Sequence, residues 1–224
     1  NEIIPILTKA RCNSGGCHGK AEGQNGFKLS IFGFDAQSDY ASLMKDGKGR
    51  RISLTQPETS LLLMKATSLM PHGGGRKIDA GSYRYNRMLR WIHEGARLDP
   101  EASDTGQIVS IEVEPREQIL LASGLQQLRV TAVDRSGEKR CVTVEAEYES
   151  NATAIAEVDQ RGLIHASDIP GEAAILVRYL GHVTSCRVTL PRPGVTFERP
   201  AETNFVDRLV WDQLARLGIK AGSA

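Results

Sequence analysis

Apolar residues recur at helical spacing at the start of the chain. Ile3, Leu7 and Ala10 lie along one side of the segment Glu2–Arg11, which predicts a short helix. Pro5 falls in its first turn, where the missing N–H of proline does little harm. The chain is therefore expected to begin with a helix that runs directly into Cys12.

A second apolar stripe predicts a longer helix over residues 82–94. The stripe consists of Tyr85, Met88, Leu89 and Ile92, with Trp91 at its edge. Ser82 has the side chain of a good N-cap, and Gly95 is typical of a residue that ends a helix. A stripe of this kind is ordinary core in most proteins, so it predicts packing and says nothing about a cofactor.

After residue 107 the apolar period changes from helical spacing to two. The alternating sets are Val109, Ile111 and Val113; Leu128, Val130 and Ala132; Val142, Val144, Ala146 and Tyr148; Ile175, Val177 and Tyr179; and Val188 with Leu190. Turn signals separate them at residues 134–137, 150–151, 161–162, 170–171 and 181. Short alternating strands at this spacing predict a β-sandwich.

These patterns predict a two-domain α + β chain. A small, mainly helical domain is expected over residues 1–100, a linker over 101–107, an all-β sandwich over 108–192, and a linker and helix over 193–224. In the last segment, residues 203–217 form an amphipathic pattern with Phe205, Leu209 and Leu214 on one face.

Charge is divided unevenly between the two halves of the 224-residue chain. Residues 1–100 carry 15 Lys and Arg against 9 Asp and Glu, whereas residues 101–224 carry 13 against 18. A basic first half favours an acidic redox partner, with salt-dependent association. The chain lacks the basic stripe with interleaved aromatics of nucleic-acid binders, and no apolar run is long enough to span a membrane.

The strongest chemical signal is the sequence Cys12-Asn13-Ser14-Gly15-Gly16-Cys17-His18. Covalent haem attachment usually uses Cys-x-x-Cys-His, in which two thiols add to the haem vinyl groups and the imidazole binds the iron. Here four residues separate the cysteines, so the loop must fold back, and Gly15 and Gly16 are expected to supply the unusual backbone angles. Half of a zinc site, or a disulfide between Cys12 and Cys17, are the alternatives.

Further residues suit a haem pocket. Met70 and His72, separated by a proline, are the candidates for the distal iron ligand, because haem iron accepts either side chain. Arg50 and Arg51 are candidates to bind the haem propionates, although a solvated basic loop explains them equally well. The candidates to wall the haem, which serve equally as generic core, are Phe27, Leu29, Phe32, Leu61, Leu62 and Leu63.

The first hundred residues resemble the planctomycete-type cytochrome c domain. The resemblance is carried by the Cys-x4-Cys-His-Gly block and by residues 25–35, 49–51, 57–63, 71–75 and 91–92, in that order. It implies one covalent haem c on Cys12 and Cys17, with His18 as the proximal ligand. In the broader family a Met-Pro pair supplies the distal ligand, which matches Met70. The subgroup with Phe-Gly-Phe-Asp and His-Gly-Gly-Gly blocks keeps the histidine, which favours His72.

Residues 108–192 are similar to the bacterial immunoglobulin-like group 2 domain. The resemblance is carried by residues 142–143, 150–158, 162–164, 170–173 and 188–189, and it implies a spacer or adhesive module. Cys141 and Cys186 are unexpected in that pattern, and their joint presence predicts a disulfide. Their strand phases disagree, however, and a bulge would be needed to reconcile them. Residues 204–210 look like the opening of a further domain that follows these two modules in planctomycete proteins.

The sequence therefore predicts an exported, periplasmic or extracytoplasmic, electron-transfer module with one six-coordinate haem and no side-chain catalyst. Its partner would be a separate redox protein or a downstream domain of the same polypeptide, and its export signal would precede Asn1. Two alternatives stay open. One is a haem enzyme or gas sensor with a labile sixth ligand, and the other is an adhesion or scaffold protein.

Overall fold

A computed structural model describes residues 2–98 and 107–222 of the chain. The buried apolar side chains form two separate clusters, one among residues 3–96 and one among residues 111–190. We call residues 2–98 the helical domain and residues 107–190 the β domain. The predicted linker, apart from Gln107, lies outside the described residues.

Four α-helices build the helical domain. They are α1 (Ile3–Lys9), α2 (Ala36–Met44), α3 (Leu61–Ala66) and α4 (Tyr83–His93). Single 3₁₀ turns lie at Ile31–Gly33, Asp46–Gly49 and Pro57–Thr59. The rest is loop, which leaves the segments that carry Cys12, Cys17, His18 and His72 free of regular structure.

Both predicted helices of this domain are confirmed. The Ser82 hydroxyl accepts a hydrogen bond from the Tyr85 N–H at the start of α4, and Met88 and Ile92 are buried. Helix α1 is shorter than predicted, because the chain leaves it through Arg11, whose φ is 56°. Every residue of α1 is buried, including Lys9.

Ten strands build the β domain. They are β1 (Ile108–Glu114), β2 (Glu117–Ile119), β3 (Leu125–Gln127), β4 (Arg129–Asp134), β5 (Lys139–Cys141), β6 (Glu147–Ser150), β7 (Ala156–Val158), β8 (Leu163–Ala166), β9 (Gly171–Tyr179) and β10 (His182–Leu190). They form three sheets with the orders β1-β4-β5, β2-β10-β9-β6 and β3-β8-β7. All pairings are antiparallel except β2 with β10. The chain thus has mixed α and β content with several antiparallel sheets.

The period-two pattern matches the strands at β9 and β10. Every second residue of β9 is buried from Ala173 to Tyr179, and β10 buries Cys186, Val188 and Leu190. Leu180 and Gly181 join these strands with φ values of 47° and 79°. Two central residues with positive φ make the turn type that matches the twist of a two-residue hairpin.

The strand predicted over residues 142–148 is wrong in its first half. Residues 142–146 form a turn, in which the Val142 carbonyl accepts from the N–H groups of Glu145 and Ala146 at 2.9 Å each. Val142 and Ala146 are fully buried, whereas Val144 is 68% exposed. A turn and a strand can both bury residues four apart, so the spacing alone did not distinguish them. The strand itself, β6, begins only at Glu147.

The predicted disulfide between Cys141 and Cys186 is not formed, since both cysteines are free. Cys141 lies exposed on β5, opposite Thr131 of β4. Cys186 lies in a different sheet, and its side chain is fully buried in the core of the β domain. The disagreement in strand phase seen in the sequence therefore reflects a real difference in the side of the fold that each thiol occupies.

The predicted C-terminal helix is present as α5 (Phe205–Leu217). Its end contacts the β domain, where the Arg192 N–H donates to the Leu217 carbonyl and Gln213 donates to Glu172. Its start is exposed, with Phe205 68% and Leu209 58% accessible. Across residues 2–98 and 107–222, none of the helices has the length and apolar character needed to cross a bilayer.

Candidate haem site

The loop between Cys12 and His18 folds back on itself, as its length requires. The His18 N–H donates to the Cys12 carbonyl at 3.0 Å, and the Cys17 N–H donates to the Ser14 carbonyl at 2.9 Å. These bonds bring the second cysteine and the histidine back to the first cysteine. Cys12 and Cys17 are both free and partly buried.

The glycine that this loop requires is Gly19, not Gly15 or Gly16. Neither Gly15 nor Gly16 has a left-handed φ, and a Cβ on either would meet no atom within 4 Å. A Cβ on Gly19 would lie 2.2 Å from the Asn13 carbonyl oxygen. The expectation that the two central glycines supply unusual backbone angles is therefore wrong. The tight approach occurs where the chain leaves the loop.

His18 is held in one tautomer by a backbone carbonyl. Its Nδ1 lies 3.0 Å from the carbonyl oxygen of Phe27, and since a carbonyl can only accept, Nδ1 carries the proton. Asn25 and Gly26, with φ values of 51° and 72°, form the tight turn that presents this carbonyl. Burial is the main factor that lowers the pKa of His18, which keeps the ring neutral and its Nε2 available as a ligand.

His72 is held in the same way. Its Nδ1 lies 2.8 Å from the Gly75 carbonyl oxygen, while the Gly75 N–H donates to the His72 carbonyl at 2.9 Å. Gly75 has a φ of 68°, which favours glycine and closes this turn. Nδ1 again carries the proton in the neutral ring, so Nε2 is free to bind a metal.

The imidazoles of His18 and His72 lie close together with nearly parallel planes. Their ring centroids are 6.2 Å apart, and their planes differ by 7°. Two imidazoles on opposite sides of one metal ion, each with a metal–nitrogen distance of about 2 Å, have centroids about 6 Å apart. The centroid distance between His18 and His72 is thus compatible with one iron atom between the two rings, and the folded loop keeps Cys12 and Cys17 next to His18.

The alternatives for this motif fit less well. No three His, Cys, Asp or Glu side chains of the described residues come together in a way that could hold a metal ion, as a zinc site would require. Burial raises the pKa of Cys12 to about 11. A disulfide between Cys12 and Cys17 is not formed.

The other candidate residues occupy different places. The N–H of Met70 donates to the Met64 carbonyl at 3.1 Å, and its side chain is partly buried. Arg50 is exposed. Arg51 is buried and donates to the carbonyls of Ser42, at 2.7 Å, and Gly26.

The guanidinium of Arg51 also supports the ring beside the proximal histidine. It lies 4.6 Å from the centroid of the Phe27 ring, which in turn lies 4.5 Å from that of His18. The donors of Arg51 are thus engaged with the protein. Its observed role is to fix the turn that holds His18, while propionate binding by Arg50 and Arg51 stays a prediction.

Sequence reasoning missed a set of contacts between the two domains. The Lys9 ammonium donates to the carbonyls of Val144, at 2.6 Å, and Ala146, at 2.9 Å. The Arg178 guanidinium of β9 lies 4.6 Å from the centroid of the Phe32 ring. Phe32 thus contacts the β domain, and its role as a wall of the haem stays a prediction. No sequence signal marks these partners, since each belongs to a different domain.

Comparisons with known proteins add little. No protein-family model and no curated protein matches the chain. Among solved structures, the chain is similar to an intimin mutant from EHEC O157:H7, with 16% identity and a TM-score of 0.29. The match covers 38% of this chain and 48% of the intimin chain. A likeness at this level assigns neither a family nor a function.

Proposed function

We propose that the helical domain is a c-type cytochrome that binds one haem c and transfers electrons. The observation that carries the proposal is the pair of parallel imidazoles, His18 and His72, each with Nδ1 fixed by a carbonyl and Nε2 free. Haem iron in such a site supplies reversible one-electron chemistry. No side-chain catalyst is needed for that activity.

Each residue of the candidate haem site has a different role in this proposal. The thiols of Cys12 and Cys17 would each add across a vinyl C=C bond, forming one C–S and one C–H bond without an oxidant. His18 and His72 would bind the iron on opposite sides, and Arg51 would stiffen the turn behind His18. Carbonyl acceptors at both Nδ1 atoms increase the basicity of the ligands.

The β domain, in this proposal, is an immunoglobulin-like spacer that carries the haem domain. Its resemblance to the bacterial group 2 pattern and its antiparallel sheets support this role. Covalent haem attachment takes place outside the cytoplasm, so we propose that the protein is exported. The electron partner would be an acidic redox protein or a further domain of the same polypeptide.

The proposal is tested with the full chain matured in a host that attaches haem c. We expect one haem per chain that survives denaturing extraction, and a haemochrome spectrum of two thioether links. Cys12→Ala or Cys17→Ala should each give the spectrum of a single link. Cys141→Ala is the matched control, because Cys141 is free, exposed and in the other domain.

Several results would overturn the proposal. A colourless product whose Cys12 and Cys17 thiols are unmodified by mass would exclude haem attachment. A stoichiometric zinc ion in its place would establish the alternative metal site. Rapid carbon monoxide binding by the reduced wild-type protein at neutral pH would indicate a labile sixth ligand, as expected of a haem enzyme or gas sensor.

A further inference from the structure

A cleft of about 450 Å³ lies between the helical domain and the β domain. On one side it is lined by α1 and by residues 77–87, and on the other by the turns at residues 144–145 and 160–161. Pro5, Ile6 and Ile78 give it apolar walls. Small-molecule sites typically measure about 300–1,000 Å³ and occur preferentially at domain interfaces. We call this feature the interdomain cleft.

Four cations of the interdomain cleft have no carboxylate partner. They are Lys9, Lys77, Arg84 and Arg161. Among the described residues, none of these four side chains has a carboxylate oxygen within 4.0 Å of its nitrogen atoms, the distance that defines an ion pair. Lys9 donates only to backbone carbonyls, and Arg84 donates to the side-chain carbonyl of Gln160 at 3.1 Å. Nearby carboxylates act on Lys9 and on Arg161 only from beyond ion-pair distance.

The carboxylates that line the cleft are already engaged elsewhere. The ion pairs are Glu2 with Arg87 at 2.7 Å and Arg90 at 3.2 Å, Asp79 with Arg76 at 3.2 Å, and Glu145 with Arg140 at 3.3 Å. Of these partner cations, only Arg87 belongs to the cleft. The cleft is lined by five cationic side chains and three carboxylates, so it carries an excess of positive charge.

Lys9 is buried and lies near the positive charge of Arg84. Burial first, and then Arg84, lower the pKa of Lys9 to about 8, while Asp159, Glu145 and Glu147 act in the opposite direction. Two like charges that face a partly desolvated space repel each other, and an anion placed between them would offset the repulsion. The apolar walls and the unpaired cations together suit an organic anion better than a simple halide.

We propose that the interdomain cleft binds a small anion with carboxylate or phosphate groups, held by Lys77 of the helical domain and Arg161 of the β domain beside Lys9. The apolar walls would contact the body of the molecule, and the cations would bind its charged groups. None of the three cations is proposed to bind haem, although the charge of Lys77 also acts on Cys12 and His18, so anion binding and electron transfer are tested separately.

The test is calorimetric titration of the full chain with succinate at constant ionic strength. Succinamide, the neutral analogue, is the ligand control, and inorganic phosphate is the second arm. We expect saturable succinate or phosphate binding and none with succinamide. Lys77→Gln and Arg161→Gln should each weaken it about tenfold, the effect of one lost charged hydrogen bond. Lys45→Gln, which removes a charge outside the cleft, should leave it unchanged.

The two arms distinguish the source of the anionic groups. Tighter binding of succinate indicates an organic acid, and tighter binding of phosphate indicates a phosphate compound. The proposal is overturned if neither anion saturates the protein. It is equally overturned if Lys77→Gln and Arg161→Gln bind as tightly as the wild type, or if Lys45→Gln weakens binding to the same extent.

Discussion

Among single residues, two histidines of the candidate haem site make the same second contact. His18 and His72 each donate an Nδ1–H bond to a backbone carbonyl, from Phe27 and from Gly75. The turns that supply these carbonyls depend on residues with positive φ, at Asn25, Gly26 and Gly75. The ligand set therefore requires local backbone geometry as well as the ligating side chains.

The choice between His72 and Met70 gives a direct prediction. In the haem-loaded protein, His72→Ala should remove the bis-histidine signal in near-infrared magnetic circular dichroism and let carbon monoxide bind the reduced form. Met70→Leu should keep both the signal and the resistance to carbon monoxide, because the ring facing His18 belongs to His72. The opposite outcome, in which Met70→Leu lets carbon monoxide bind the reduced iron, would identify the thioether as the distal ligand.

At the scale of elements, the loop from Cys12 to His18 is shaped by hydrogen bonds and by one close approach. Sequence reasoning correctly predicted that this loop folds back, because its length allows nothing else. It misplaced the critical glycine, since the contact between Gly19 and the Asn13 carbonyl arises only after the loop has folded. Helices α4 and α5 were predictable because each is amphipathic, and α4 also has a recognisable N-cap, whereas α2 and α3 were not predicted.

A pair of glycine substitutions tests this description. Gly19→Ala should destabilise the helical domain by about 1–3 kcal/mol and lower the yield of haem attachment, because the new methyl group would overlap backbone atoms. Gly15→Ala should change stability by less than about 0.5 kcal/mol, since the space around it is open. Urea unfolding and haem content measure both effects. Equal losses in the two variants would contradict the assignment.

At the scale of the whole molecule, the two domains share an interface that buries a lysine. Lys9 ends α1 and reaches the turn at residues 142–146, the same segment that the pattern misassigned as strand. Its neighbours in the interface include Glu147, which is paired with Arg178 and Arg11 at 3.8 and 3.7 Å. The interface positions α1, which leads directly into Cys12.

The burial of Lys9 predicts how stability depends on pH. Because the folded-state pKa is about 8 and the ordinary value is 10.5, the folded protein releases this proton first as the pH rises. The unfolded chain then holds more protons between these values, so stability should rise by about 1–2 kcal/mol from pH 8 to 10.5. Thermal unfolding of the wild type and of Lys9→Met measures this contribution.

Comparing the wild type with Lys9→Met isolates the contribution of Lys9 to the pH dependence of stability, because every other titrating group is the same in both proteins. The rise should be present in the wild type and missing in Lys9→Met. Parallel pH profiles for the two proteins would mean that Lys9 is solvated and does not hold the interface.

Local features of this protein could be predicted from residues close together in the chain. Apolar spacing predicted three of the five described α-helices and five of the ten described strands, and the order Cys12, Cys17, His18 defined the candidate haem loop. Three features required the folded structure: the rings of His18 and His72 lie 6.2 Å apart, Cys141 and Cys186 lie in different sheets, and cations from both domains line one cleft. The physical reason is that these contacts join distant segments, and their geometry is set by how the two cores pack.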